Sequence, residues 1–349
     1  MTSGQSGRRR WPAEWERHIY TLLAWPQTEL EWPGKLDAVD WAFAEIARLV
    51  TASERLLLVA ANPVHRSNVR AMLVNAGVNS KNVDFLIHRL DRNWMRDSGP
   101  VCVKNGSRVE AIQFSFNAWA NYPEYANDIK LTPLVARKTG AKLTPAMYNG
   151  RHVVLEGGAI DGNGRGTLIT TEECLMHTKI QVRNPGFSKA DYAAVFHEYL
   201  GTKHVIWLGG GIVGDDTHGH VDDICRFIGP STLVIAREKH SRDINYRNLE
   251  ENRERLTGAR LADGSKPKVI ELPMPGPVVF RGMRLPASYT NFLFTKDALL
   301  VPTFNDPNDR IALGILSEAL PGRTVIGIHA VDIVLGRGTL HCLSHEIPA

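Results

Sequence analysis

Apolar and polar positions change period repeatedly along the chain, and each change marks an element. Trp41–Thr51 (W-A-F-A-E-I-A-R-L-V-T) has the apolar spacing of a helix that buries one face. Arg55–Ala60 (R-L-L-L-V-A) is a short unbroken apolar run, the pattern of a buried strand. A polar helix is predicted over His65–Ala76 and another strand over Phe85–Leu90. Further strands are predicted at Val101–Val103, Val109–Phe116, Val153–Leu155, Thr167–Thr170, His204–Leu208 and Thr232–Ala236. Helices are predicted at Asn127–Thr139, Ser188–Leu200, Tyr246–Leu256 and Asp309–Leu320, the last stopped by Pro321-Gly322. Strand and helix patterns alternate throughout, which argues for an α/β fold. No linker divides the chain, Pro273, Pro275 and Pro277 predict one rigid loop, and no repeat of fixed period is visible.

Composition narrows the class. The 349 residues are 43% hydrophobic and 22% charged, as in ordinary soluble proteins. A net charge of +4, from 41 basic and 37 acidic side chains, is too small to imply nucleic acid, and no apolar run is long enough for a membrane span. The opening M-T-S-G-Q-S-G-R-R-R has no apolar stretch behind it and is not a signal peptide. Residues 1–10 are expected to form a flexible tail and residues 11–349 the catalytic domain. Four scattered cysteines, Cys102, Cys174, Cys225 and Cys342, form neither a disulfide framework nor a zinc-ligand spacing. They suit a reducing, cytoplasmic setting.

Four segments carry candidate chemistry. In N-W-M-R-D-S-G-P, Asp97 precedes a Ser-Gly-Pro turn and can face a cleft; the alternative is a turn-forming Asp or a partner of Arg96. In L-E-G-G-A-I-D-G-N-G-R-G-T, Glu156 ends an apolar run, where a charge is costly unless paired. The two glycines after it permit close backbone approach. The later glycines lack Walker and dinucleotide spacing, so a hairpin turn is expected there. In G-D-D-T-H-G-H-V-D-D, an extended Gly219–Asp223 would put His220 and Asp222 on one face, an imidazole beside a carboxylate. A divalent-metal site in His218–Asp223 is the rival reading. Finally, Cys342 follows Gly336-Arg337-Gly338, a turn that would let a substrate approach closely; a buried inert cysteine is the alternative. His341 reads as structural, because adjacent strand residues face opposite ways.

Taken together and in order, W-M-R-D-S-G-P, E-G-G, N-P-G, D-D-T-H-G-H-V-D-D, F-N-D-P-N-D and G-x-G-T-L-H-C resemble the agmatine deiminase family. Those are guanidine-modifying enzymes of the pentein superfamily, related to arginine deiminases and bacterial peptidyl-arginine deiminases. The resemblance runs from about Trp11 to Ala349 and includes the opening P-A-E-W-E-R-H. It implies a single-domain, five-bladed, pseudo-symmetric α/β propeller (the pentein fold) with a central site. It also implies hydrolysis of a guanidinium to a ureido group plus ammonia, with no metal or organic cofactor. On that resemblance Cys342 is the nucleophile, Asp97 and Asp222 grip the guanidinium, His220 moves protons and Glu156 orients His220.

The expected partner is a small cationic guanidino substrate, first of all agmatine, converted to N-carbamoylputrescine in polyamine biosynthesis. Nucleic acid and membrane are not expected; a homo-oligomer is compatible with the resemblance. Asp215, Asp216 and Trp94 are candidates for agmatine's distal amine, and Asn291 resembles a site-lining position. Two residues depart from the family: Arg337 replaces a Gly or Leu before the cysteine, and His218 stands where several agmatine deiminases carry Asp or Asn. Arg337 is expected either to pair with a surface acid or to face the site mouth and favour a carboxylate-bearing guanidine. A guanidine- or polyamine-binding protein without turnover is the non-enzymatic alternative.

Overall fold

Five small sheets share one plan: an antiparallel strand pair, a helical crossover, and a third strand parallel to the second. The computed structural model describes residues 9–349. Val101–Asn105 and Arg108–Gln113 pair antiparallel, helix Leu131–Thr139 crosses over, and Lys142–Pro145 returns parallel. The plan recurs in Ile160–Gly162, Thr167–Thr171, helix Lys189–Leu200 and His204–Leu208. It recurs again in Cys225–Gly229, Thr232–Arg237, helix Tyr246–Thr257 and Lys268–Pro273. The fourth copy is Leu293–Phe294, Ala298–Thr303, helix Asn308–Ala319 and Thr324–His329. The fifth is assembled from both ends of the chain. Ser344–Pro348 lies antiparallel to His18–Ala24, which runs parallel to Leu56–Ala60 after helix Leu36–Thr51, with Val83–Ile87 added outside. The parallel strand pairs each need such a crossover, and helices provide it.

Local chemistry explains the elements. Leu56–Ala60 is buried at every position, hence its unbroken apolar run. Asn62 caps the next helix by accepting from the His65 N–H, and Pro63 starts it. Ser188 and Asp191 form a capping box, and Gly201 ends that helix at φ 70°. Helix Leu36–Thr51 begins five residues before the expected Trp41, because its buried face is Val39, Phe43, Ile46, Ala47 and Val50; Trp41 itself faces solvent. Val153–Leu155 is not a full strand: it makes an isolated bridge between Val154 and Ser115 and a further backbone bond from the Val153 N–H to Ala146. The hairpin expected after Glu156 is present, its turn joining Ile160–Gly162 to Thr167–Thr171.

Of the expected tail, residues 1–8 lie outside the described residues; Arg9 and Arg10 already pair with Asn105 and Lys104. Among the described residues, no helix is long and apolar enough to cross a membrane.

What the plan does for the site lies in its connections. Just before the first strand of each copy, the chain makes a short turn: Met95–Ser98, Gly157–Ala159, Val221–Asp223, the segment holding Asn291, and Leu340–Leu343. Hydrogen bonds and close approaches join these five turns, which carry the candidate residues.

Candidate active site

Gly158 is where the turns come closest. A Cβ there would lie 2.5 Å from His220 Nδ1, 3.0 Å from Asp97 Oδ1 and 3.1 Å from Asp222 Oδ2, so only glycine fits. The E-G-G motif therefore serves close approach. The Gly158 N–H donates to Asp97 Oδ1 at 3.0 Å, and the Trp119 indole N–H donates to Asp97 Oδ2 at 2.9 Å. Cys342 Sγ lies 3.5 Å from Asp222 Oδ2 and receives a hydrogen bond from Asn291 Nδ2 at 3.0 Å. Gly338 backs the thiol, since a Cβ on it would meet Cys342 Sγ at 3.1 Å and the Trp94 ring at 2.8 Å. The close approach read from the glycine turn is thus present, with the Trp94 ring beside it.

All five expected catalytic side chains are buried: Cys342 is 7% exposed, Asp97 5%, His220 1%, and Glu156 and Asp222 0%. Both His220 ring nitrogens and Asp222 Oδ1 lack a hydrogen-bond partner among the described residues. Buried polar groups left open in this way mark a place where a polar ligand fits.

The charges are strongly coupled. Burial pushes the Asp97 carboxyl up to about 6, against the opposing pull of His220 and with the repulsion of Asp222. Glu156 overcomes its burial through Arg183, whose Nε donates to Oε1 at 3.1 Å, and through His220; its carboxyl falls to about 2. His220 is raised well above the ordinary imidazole range despite burial, chiefly by Asp97. Burial and the carboxylates of Asp222, Asp223 and Asp97 push the Cys342 thiol well above its usual range. A protonated thiol thus stands beside carboxylates that would welcome a cation.

The structure corrects several expectations. Val221–Asp223 is a 3₁₀ turn, not a strand, yet His220 and Asp222 still converge on Gly158. Cys342 sits on a short helix, Leu340–Leu343, where neighbours differ by about 100° instead of the strand's half-turn. His341 therefore reaches the same carboxylate as Cys342, its Nδ1 lying 2.6 Å from Asp222 Oδ2. Asp215 serves its own loop, accepting from the Thr217, Gly219 and His220 N–H groups. Asn291 holds Cys342 and Asp223 with its amide N–H and accepts from Thr339 Oγ1 at 2.8 Å. It supports the thiol instead of presenting free groups to a substrate. His218 faces Glu173, 3.6 Å away, and so stands apart from Asp222 and Asp223, whose carboxylate oxygens gather with the Cys342 sulfur within 4.8 Å.

Asp216 accepts from Tyr122 Oη at 2.5 Å and lies 3.2 Å from Arg337 Nη1. Arg337 holds the left-handed backbone, φ 71°, that the turn requires. It pairs with an acid, as one expectation held, but that acid is itself one of the candidate substrate groups.

Residues 10–348 match the model of the Porphyromonas-type peptidyl-arginine deiminase family. The chain belongs to that family. It is 32% identical to the agmatine deiminase of Pseudomonas aeruginosa (strain LESB58) over 97% of this chain and 95% of that protein. A cysteine-to-serine variant of C. jejuni agmatine deiminase, solved with substrate bound, superposes with a TM-score of 0.86 at 29% identity, covering 98% of this chain and 96% of that one. An Enterococcus faecalis agmatine deiminase superposes with a TM-score of 0.88 at 27% identity and the same coverage.

In this member of the peptidyl-arginine deiminase family, a layer of residues beneath the site escaped sequence reading. Glu14 Oε1 lies 2.7 Å from His341 Nε2 and accepts from Arg96 Nη1 at 3.1 Å, while Oε2 pairs with Arg226. Arg96 Nη1 also donates to Glu346 at 2.8 Å, and Arg226 pairs with Asp161. Trp119 is another such residue. It sits in Ala118-Trp119-Ala120, three consecutive left-handed residues, and that turn aims its indole at Asp97. An aromatic in F-N-A-W-A-N-Y reads as core; nothing local in the sequence announces an inverted turn.

Proposed function

We propose that the chain is a cysteine hydrolase of C–N bonds in linear amidines, converting a small guanidino compound, first of all agmatine, to its ureido product and ammonia. One observation carries this reading: Cys342 and the unpartnered groups of Asp222 and His220 meet with Asp97 around Gly158. A planar guanidinium between Asp97 and Asp222 would be held by charge-assisted hydrogen bonds with its carbon facing the sulfur. Its charge would also offset the carboxylates that keep Cys342 protonated, so substrate arrival would promote the thiolate, the thiol proton passing to solvent. The thiolate then adds to the guanidinium carbon. His220 gives its proton to the departing nitrogen, the C–N bond breaks and ammonia leaves. His220 next takes a proton from water, which attacks the amidino carbon. The C–S bond breaks, the hydroxyl proton of the adduct passes to the leaving sulfur, and the ureido product is released. Glu156, anchored by Arg183, stabilises the imidazolium. The chemistry calls for no metal or organic cofactor. The relatives' names and the substrate-bound C. jejuni structure support agmatine. The five sheet units also support a five-bladed propeller with these turns at its axis, and residues 11–349 as one catalytic domain.

The reaction should depend on pH as a bell. Grip by Asp97 requires its carboxylate, which is lost as pH falls through about 6. The acid step requires imidazolium, lost as pH rises through the raised value of His220. Ammonia release measured across pH should give an acid limb of kcat/KM near 6; a rate flat from about pH 5 to 10 would contradict the assignment.

A second reading is favoured by Arg337, whose cation already occupies Asp216. It would oppose agmatine's distal ammonium and welcome a carboxylate. Arg337→Leu should move the ratio of kcat/KM for agmatine over 4-guanidinobutyrate towards agmatine by about tenfold, on the order of 1.4 kcal/mol. An unchanged ratio removes Arg337 from substrate choice.

A further inference from the structure

Glu156 does not reach His220 by itself. Its Oε2 lies 3.9 Å from His220 Nε2, and the carboxylate is tied to Arg183 on its other side. A different group stands close on that side of the ring. Cys174 Sγ, a Glu156 oxygen and a His220 ring nitrogen all lie within 4.8 Å of one another, and all three residues are buried. Cys174 is 1% exposed, as is His220, whose two nitrogens have no partner within hydrogen-bond reach, so the sulfur is the nearby acceptor still free to take an N–H of the ring.

The backbone around Cys174 is fixed to the backbone around His220. Thr171 Oγ1 accepts from the Cys174 N–H at 3.1 Å and donates to the Gly219 carbonyl at 2.5 Å. Glu173 accepts from the Gly211 N–H at 2.6 Å, and a Cβ at Gly219 would stand 2.9 Å from Glu173 Cβ. The short helix Glu172–Met176 is therefore bolted to the loop that ends in His220. A thiol held so firmly against an otherwise unpartnered imidazole has a use that packing alone does not require.

We infer that Cys174 is a positioning residue for His220: its sulfur stands as an acceptor for an imidazolium N–H on the Glu156 side and keeps the ring turned between Asp97 and Glu156. The inference rests on the deiminase reading of the site. The other charged groups facing the ring are Asp97, Asp222, Asp223 and Glu156, with Arg183 behind Glu156. Cys174 adds to their support of the cationic ring.

Three variants test this. Cys174→Val and Cys174→Ala remove the polar atom, the first keeping bulk and the second leaving room. Cys174→Ser keeps a hydrogen-bonding atom. Val and Ala should lower kcat by at least about tenfold and draw the alkaline limb of the pH profile down by about one unit, as the imidazolium loses a partner. Ser should stay within about threefold of wild type with its limb in place. Melting temperatures identify which variants fold, and either Val or Ala suffices. A wild-type alkaline limb in the folded Val or Ala variant would overturn the inference, as would a Ser variant damaged as much as those two. Failure of the underlying reading would look different: wild-type protein would release no Cys342-dependent ammonia from any guanidine.

Discussion

Cys342→Ser should lose at least about a thousandfold of turnover while keeping the wild-type melting temperature. Serine keeps the size and the contact with Asn291 Nδ2, so the fold has no reason to change. The hydroxyl has a far higher pKa than a thiol, however, and the surrounding carboxylates oppose an anion at this place. A bound guanidinium can offset that opposition for sulfur; it cannot do so for an alkoxide. The variant should still bind substrate, because Asp97 and Asp222 are untouched. Ammonia release and calorimetric binding on the same preparation separate the two effects. Retained turnover would move the nucleophile elsewhere, and chelator-sensitive turnover would restore the metal reading.

Glu14→Gln should be the most destabilising conservative change outside the site. One carboxylate faces Arg96, Arg226 and His341, all buried, and holds the charge balance of the layer under the catalytic turns. Neutralising it leaves two guanidinium groups sharing Glu346 and Asp161. Removing one partner from a buried ion network costs about 3–5 kcal/mol. Denaturant unfolding should show that loss. It should be accompanied by lower activity, since Arg96 Nε donates to the His341 carbonyl next to Cys342 at 3.3 Å. A stability change below about 1 kcal/mol would mean that the network is not a unit.

Alternation of strand and helix was readable because buried strands such as Leu56–Ala60 are apolar throughout and helices such as Lys189–Leu200 carry their own caps. The fivefold plan was not readable. Its copies differ in strand length, the first strand running from two residues at Leu293–Phe294 to five at Val101–Asn105, and one copy borrows its first strand from the other end of the chain. No fixed sequence period survives that. His18–Ala24 and Ser344–Pro348 passed unnoticed for the same reason: their pairing is with each other across the whole chain.

The core of the candidate site was legible because its residue types are costly where they stand: a carboxylate ending an apolar run, two glycines, a cysteine after Gly-x-Gly. Residues that act through others were less so. Asp215 and Asp216 are adjacent and alike in sequence, yet one closes a loop of N–H groups and the other meets Tyr122 and Arg337. Only three-dimensional pairing tells them apart. In sequence Cys174 is one of four scattered thiols, and its proximity to His220 arises from a bolt between two distant segments.

The most direct test of the central claim is mass spectrometry of enzyme quenched in acid during turnover of agmatine. A covalent intermediate predicts an amidino group on the peptide bearing Cys342, present within the reaction time and absent without substrate. Active enzyme turning over with Cys342 unmodified at every quench time, and with undiminished rate in Cys342→Ser, would contradict it.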